Sequence, residues 1–245
     1  MKQKFMDHFM RLVYEIGNLS TCYKRSVGAI IVSPDYRILS TGYNGTPSGM
    51  IECKEVSAIL EWVYDGYIIK ISDMMDWDTV THMQIIDSLE SIRDKISTGD
   101  ISKLNIDNEH VWSIIRKYKS NSTMLIETFS KLIDMLKCLH YNELKNYRNQ
   151  GITKFIADFN FVHYKYEIHA EQNAIAQAAS HGINIKGCTI FIPIMPCLDC
   201  ARLIVASGLK TVIYKDPYTD KNYNEQSVDF LRLNGVNVIQ YRGSQ

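Results

Sequence analysis

The chain has 245 residues, 46% of them apolar, enough to bury the core of one large domain or of a domain carrying an insertion. Lys and Arg number 27 and balance 27 Asp and Glu, so no overall positive field exists to hold DNA or RNA along a channel. No apolar run reaches the length of a membrane span, and charges interrupt the N-terminal stretch MKQKFMDHFMRLVYEIG, unlike a signal-peptide core; the expectation is an intracellular, cytoplasmic protein with neither membrane nor nucleic acid as partner.

Phe5, Phe9, Leu12 and Ile16 recur at spacings of four, three and four, which predicts an amphipathic first helix. Residues 27 to 33 (VGAIIVS) form a short apolar run, Pro34 and Asp35 supply a turn, and RILSTGY follows, so the pair predicts a β-hairpin. Residues 54 to 162 contain no proline and only three glycines (Gly66, Gly99 and Gly151), and this texture predicts a helical insertion. Inside it Ile85, Leu89, Ile92 and Ile96 repeat at helical spacing, as do Leu125, Phe129, Leu132, Leu136 and Leu139, and both stripes read as core faces. After residue 168 the pattern alternates: a helix over 170 to 181, the strand GCTIFIPI, a helix over 198 to 207, the strand KTVIY, a helix over 225 to 234 and the strand VNVIQY. Gly182, Gly208 and Gly235 fall where these three helices should stop.

Two motifs sit at helix starts in this alternating half: HAE at His169 to Glu171 and PCLDC at Pro196 to Cys200. Cys197 and Cys200, three apart in a first helical turn, share one face and can grip one ion, and Pro196 suits the entry to that turn. The unpaired N–H groups and the dipole of a helix start favour thiolate, the form that binds zinc. His169 makes a third ligand, and three protein ligands leave a position open for water, the mark of a catalytic rather than a closed structural zinc. Zinc lowers the pKa of such a water from about 16 to about 7. Glu171, two residues beyond His169, can serve as general base and acid beside it. A lone C-x-x-C is often structural or redox-active, and HAE alone is a common tripeptide; the two together match the signature of zinc deaminases.

Six cysteines in a chain without a signal peptide read as thiols or metal ligands rather than as a disulfide framework. Cys138 and Cys188 read as packing residues.

The stretches TCYKRSVGAIIVSPDYRILSTGYNGTPSG, EIHAEQNAIAQAA and GCTIFIPIMPCLDCARLIVASGLKTVIY resemble the cytidine deaminase superfamily, and within it the deoxycytidylate (dCMP) deaminases. HAE and PCxxC are shared across the superfamily, whereas GYNGTPSG beside VGAIIV is characteristic of the dCMP branch. The resemblance covers roughly half the chain, at both ends, and fails across the long middle segment. It implies an α/β, three-layer fold with a five-stranded mixed sheet flanked by helices, assigned to residues 1–53 and 163–245, with 54–162 as the helical insertion. The insertion is either an appendage that makes subunit contacts or a lid over the site.

The implied activity is that of a hydrolase: deamination of dCMP to dUMP and ammonia, feeding thymidylate synthesis. Rival readings are a deaminase of dCTP or of another cytosine nucleoside or nucleotide, and a catalytically inactive, zinc-stabilised nucleotide-binding protein. By the same resemblance Asn44 contacts the substrate sugar, and Gly42, Tyr43, Asn44 and Gly45 form part of an allosteric site for a deoxynucleoside triphosphate, dCTP activating and dTTP inhibiting, with magnesium accompanying it. The alternative for this segment is a plain turn, since glycine and asparagine tolerate left-handed backbone. Lys24 or Arg25 is the candidate for the substrate phosphate, with a solvated side chain as the alternative for either. Tyr218 lies where family members place an aromatic near the base, and a packing tyrosine is the alternative.

Cys22, Cys53, His163 and Glu167 match positions at which phage-type members hold a second, structural zinc; two buried free cysteines are the alternative. The family further implies a homo-oligomer, a hexamer. The richness in Ile, Lys, Asn and Tyr is that of an AT-rich genome, and the compartment becomes the host cytoplasm if that genome is viral.

Overall fold

The computed structural model describes residues 1–69, 79–139, 141–218 and 221–243 and divides into two compact units, Met1–Pro47 with Tyr166–Gln245, and Ser48–Lys165. In chain order the first unit begins with helix α1 (Gln3–Gly17) and strands β1 (Gly28–Val32) and β2 (Ile38–Tyr43). The second unit follows with α2 (Cys53–Val63), α3 (Thr79–Thr98), α4 (Glu109–Lys117), α5 (Thr123–Cys138), α6 (Tyr141–Gln150), α7 (Ile152–Phe159) and α8 (Phe161–Lys165). The chain then completes the first unit with α9 (Ala170–Ser180), β3 (Thr189–Ile194), α10 (Leu198–Ala206), β4 (Thr211–Asp216), α11 (Lys221–Leu233) and β5 (Asn237–Gln240).

The sheet runs in the order β2-β1-β3-β4-β5. β1 is antiparallel to both β2 and β3, while β3, β4 and β5 are parallel, the mixed five-stranded sheet expected. Parallel neighbours need a crossover, and α10 and α11 supply the two required. β1 reads as an unbroken apolar run because helices cover both of its faces. Ala29 and Ile31 join Ile190, Ile192 and Val212 against Ala174 of α9, Ile204 of α10 and Leu231 of α11. Ile30 and Val32 join Phe191 and Ile213 against Phe9, Met10 and Val13 of α1. Neighbouring residues of one strand thus feed opposite cores, which gives three layers.

The stripe that predicts α1 marks only the edge of its buried face. Phe5, Leu12 and Ile16 are half-buried, whereas Phe9, Met10, Val13 and Gly17 are buried. The closest approach to β1 is made by backbone: a Cβ on Gly28 would fall 2.1 Å from the Val13 carbonyl oxygen. Large side chains therefore flank the contact rather than centre it.

Gly182, Gly208 and Gly235 adopt φ of +64°, +75° and +71°, one residue beyond the caps of α9, α10 and α11. α9 and α11 close with the six-to-one bonds Ile183 N–H to Ala178 O (2.9 Å) and Val236 N–H to Leu231 O (3.0 Å). α11 begins four residues earlier than predicted because its first turn, KNYN, carries no apolar periodicity to reveal it.

In the second unit α3 and α5 pack on one another, burying Ile85, Leu89, Ile92 and Ile96 with Leu125, Phe129, Leu132 and Leu136. Two expectations are corrected here. Leu139 lies past the end of α5 and is half-buried, so the stripe ends at Leu136. Cys138 is exposed rather than packed, because it falls off the row set by Leu125, Phe129, Leu132 and Leu136. The start of α2 is closed by a capping box in which the Glu52 N–H donates to Glu55 Oε2 at 2.9 Å. Glu55 also accepts from the Tyr118 hydroxyl (2.6 Å) and from Lys117 Nζ (2.7 Å), which ties α2 to the end of α4.

Candidate metal centre

His169 and Cys197 occupy equivalent places, each the capping residue just before a helix, α9 and α10 respectively. The helix predicted from residue 198 begins there, so Cys197 stands just before it, in extended backbone, with its sulfur accepting the Cys200 N–H at 3.4 Å. That sulfur serves as the cap of the helix, so the unpaired N–H groups of a helix start are already aimed at it.

The three donors converge. His169 Nδ1 lies 3.5 Å from the Cys197 sulfur and 3.4 Å from the Cys200 sulfur, and all three donor atoms lie within 4.8 Å of one another. A tetrahedral zinc with bonds of about 2.3 Å to sulfur and about 2.0 Å to nitrogen needs nitrogen–sulfur separations of about 3.5 Å. The set fits zinc. Both cysteines are buried and His169 is exposed, so the cluster is closed on its sulfur side and accessible at the imidazole.

The electrostatics agree. The neighbouring Cys200 thiol, more than any other group, pulls Cys197 down to about 4 against the cost of burial, and His169 and the Cys200 N–H add to it. The Cys197 sulfur pushes His169 up to about 9 against burial, with the Glu171 charge adding. Cys200 is driven upward, first by Cys197 and then by burial. A sulfur anion surrounded by retained protons is an arrangement that a dication satisfies by displacing those protons.

Glu171 is the second residue of α9 and is only 5% exposed. Burial raises its affinity for a proton above that of an ordinary carboxylate. One residue further on, Gln172 accepts the His169 N–H on its Oε1 at 2.9 Å and so holds the backbone of the candidate ligand. Gln172 is not legible in the sequence: a capping box is recognised from Ser or Thr at the cap, and here the cap is histidine.

The GYNG segment is not a turn. Gly42 and Tyr43 end β2, and Gly45 forms a two-bond bridge with Ile168, the residue before His169 (3.1 and 2.9 Å). Positive φ occurs at neither Gly42 nor Gly45, which overturns the left-handed alternative. These glycines are needed for space. A Cβ on Gly42 would meet the Ala170 carbonyl at 2.3 Å and the Ala174 nitrogen at 2.4 Å, and one on Gly45 would meet Thr21 Oγ1 at 2.3 Å. Gly42→Ala is therefore expected to push α9 off β2 and to cost about 3 kcal/mol, read as a lowered urea midpoint. An unchanged midpoint contradicts the packing role.

Asn44 is buried, and its amide is heavily used. Oδ1 accepts the Val27 N–H at 2.8 Å, and Nδ2 donates to the Arg25 carbonyl (2.8 Å) and to Glu167 Oε1 (2.6 Å), leaving one acceptor lone pair for a ligand. Lys24 and Arg25 are exposed, Tyr43 is exposed, and Tyr218 is half-buried against the core that α9, α10 and α11 share with the sheet. Cys22, buried, and Glu167, half-buried, belong to the first unit; Cys53, buried at the start of α2, and His163, half-buried on α8, belong to the second. Cys188 is buried in the core, as expected of a packing residue. No helix among the described residues is long and apolar enough to cross a membrane.

Comparison with known proteins agrees with the motifs. The family described as the cytidine and deoxycytidylate deaminase zinc-binding region matches residues 3–77 and 145–216, more than half of the chain. Deoxycytidylate deaminase of Enterobacteria phage T2 is 27% identical over 230 residues, covering 94% of this chain and 88% of the relative. The deoxycytidylate deaminase of Enterobacteria phage T4 is 26% identical over 230 residues, covering 94% and 86%. The crystal structure of the cyanophage S-TIM5 dCMP deaminase in complex with dCMP and dUMP aligns over 98% of this chain and 99% of that one, with a TM-score of 0.49 and 20% identity. The chain belongs to the cytidine and deoxycytidylate deaminase zinc-binding family.

Proposed function

We propose that the protein is a zinc-dependent hydrolase that converts dCMP and water to dUMP and ammonia, and so feeds thymidylate synthesis. The observation that carries the reading is the convergence of His169 Nδ1 on the sulfurs of Cys197 and Cys200, with the buried carboxylate of Glu171 in the first turn of the same helix. The names of the phage T2 and T4 relatives support the choice of dCMP.

His169, Cys197 and Cys200 hold the zinc and are one donor short of its usual four. When bound, the zinc supplies Lewis-acid activation of the reacting water at neutral pH. Glu171 does the proton work. It takes one water proton and delivers it to the ring nitrogen of cytosine, then carries the second to the departing amino group. The carbon–oxygen bond forms first, with the ring nitrogen protonated, and the carbon–nitrogen bond then breaks as the protonated amino group leaves as ammonia. The free acceptor lone pair of Asn44 suits a sugar hydroxyl, and the exposed Lys24 and Arg25 offer two cations for the phosphate. Tyr218 is the aromatic candidate beside the base.

Regulation by dCTP and dTTP through Gly42, Tyr43, Asn44 and Gly45 belongs to the same proposal. The contact of Gly42 with Ala170 and Ala174 supports it, since an occupant of that segment is felt by the helix that carries Glu171. A second zinc on Cys22, Cys53, His163 and Glu167 rests on residue type, as does assembly into a homo-oligomer on family membership. A catalytically inactive nucleotide binder is the poorer reading, because a purely structural zinc has no use for a buried carboxylate beside it.

The test is ammonia release from dCMP, dCTP, deoxycytidine and cytosine, each with and without added dCTP or dTTP, alongside a zinc count per chain. Preference for dCMP is expected. Preference for the unphosphorylated nucleoside overturns the substrate, and no turnover on any of them by zinc-loaded protein overturns the enzyme.

A further inference from the structure

The segment that delivers Cys197 is anchored at successive residues. The Met195 N–H donates to the carbonyl of Asp216, at the end of β4, at 2.9 Å. Pro196 has its φ set by its ring and has no N–H, so its carbonyl is the one backbone group by which it can be held. That carbonyl accepts the hydroxyl proton of Ser227 at 2.7 Å. Ser227 lies on α11, which packs on α10, and is wholly buried.

A buried helical hydroxyl usually bonds the carbonyl one turn back in its own helix. Ser57 does so with Cys53 (3.0 Å), and Thr128 does so with Met124 (2.8 Å). Ser227 instead reaches a residue 31 positions earlier in the chain, immediately before a candidate metal ligand. The Pro196 carbonyl and the Cys197 nitrogen share one peptide plane, so holding the oxygen orients the plane from which Cys197 departs.

We propose that Ser227 is a positioning residue for the metal: by holding the Pro196 carbonyl it fixes the peptide plane from which Cys197 presents its sulfur beside Cys200 and His169. The inference rests on the zinc reading of those three donors. Removing the hydroxyl leaves the ligands in place but frees the plane, so the cost falls on how tightly the metal is kept. Groups one step behind a metal ligand commonly change metal affinity by about 10- to 100-fold, and about tenfold is expected here.

The experiment follows zinc release from the folded, zinc-loaded protein to a chromophoric chelator, with unfolding of each variant recorded separately. Ser227→Ala is expected to release zinc about tenfold faster. Ser227→Thr, which keeps the hydroxyl, should release it near the original rate. Thr128→Val, which removes a buried hydroxyl of the second unit, should lower stability without changing release. Release from Ser227→Ala at the original rate overturns the proposal whatever its stability, and so does equally fast release from the folded Ala and Thr variants. An unaltered chain that takes up no zinc overturns the metal reading itself, a result distinct from either.

Discussion

Glu171→Gln is expected to lower turnover on dCMP by about 10²- to 10⁴-fold while zinc remains bound, the usual range for loss of a general acid and base. The change is nearly isosteric, and Glu171 is not one of the three converging donors, so the metal should stay. The carboxylate is buried at the second residue of α9, and exchanging a buried carboxylate for a neutral amide removes a desolvated charge. Retained zinc in the same preparation separates loss of the proton carrier from loss of the fold. Ammonia release and zinc content measured on one preparation check both halves, and retained turnover removes Glu171 from the mechanism.

A second large effect belongs to Cys200→Ala. Cys200 is wholly buried, and its sulfur lies 3.4 Å from His169 Nδ1. Its loss leaves two donors where zinc needs at least three from the protein. The variant should bind one zinc per chain fewer than the unaltered protein and fall to background turnover. Cys188→Ala is the matched control. Cys188 is also buried but lies in the apolar core, so its truncation should cost about 1 kcal/mol of stability and leave zinc and turnover unchanged. A zinc content unchanged in Cys200→Ala, or lowered in Cys188→Ala, contradicts the placement of the site.

What the sequence reveals and what it hides follow from how local each feature is. The motif residues are legible because His169 and Glu171, and Cys197 and Cys200, each lie within three positions on one helix start. The core strands are legible because two-sided burial leaves unbroken apolar runs such as GAIIV, and the helix ends are legible because Gly182, Gly208 and Gly235 carry positive φ. Features that depend on distant partners are not. Gly42 looks like a turn residue until α9 is seen against it, since no local signal separates a glycine needed for φ from one needed for space. Ser227 is one serine in a helical stretch, and its partner Pro196 is 31 positions away. Asn44 suggests a ligand contact, yet most of its amide is spent on Arg25, Val27 and Glu167. Cys138 and Leu139 fail for a related reason: a periodic stripe does not say at which residue its helix stops.

The proposed enzyme depends on a zinc site formed by an imidazole and two sulfurs at two helix starts. The decisive measurement is stepwise return of zinc to metal-free protein, with ammonia release from dCMP followed at each step. Metal-free protein is expected to show no turnover, with activity recovering as zinc binds at His169, Cys197 and Cys200. Full turnover by protein stripped of metal would contradict that dependence.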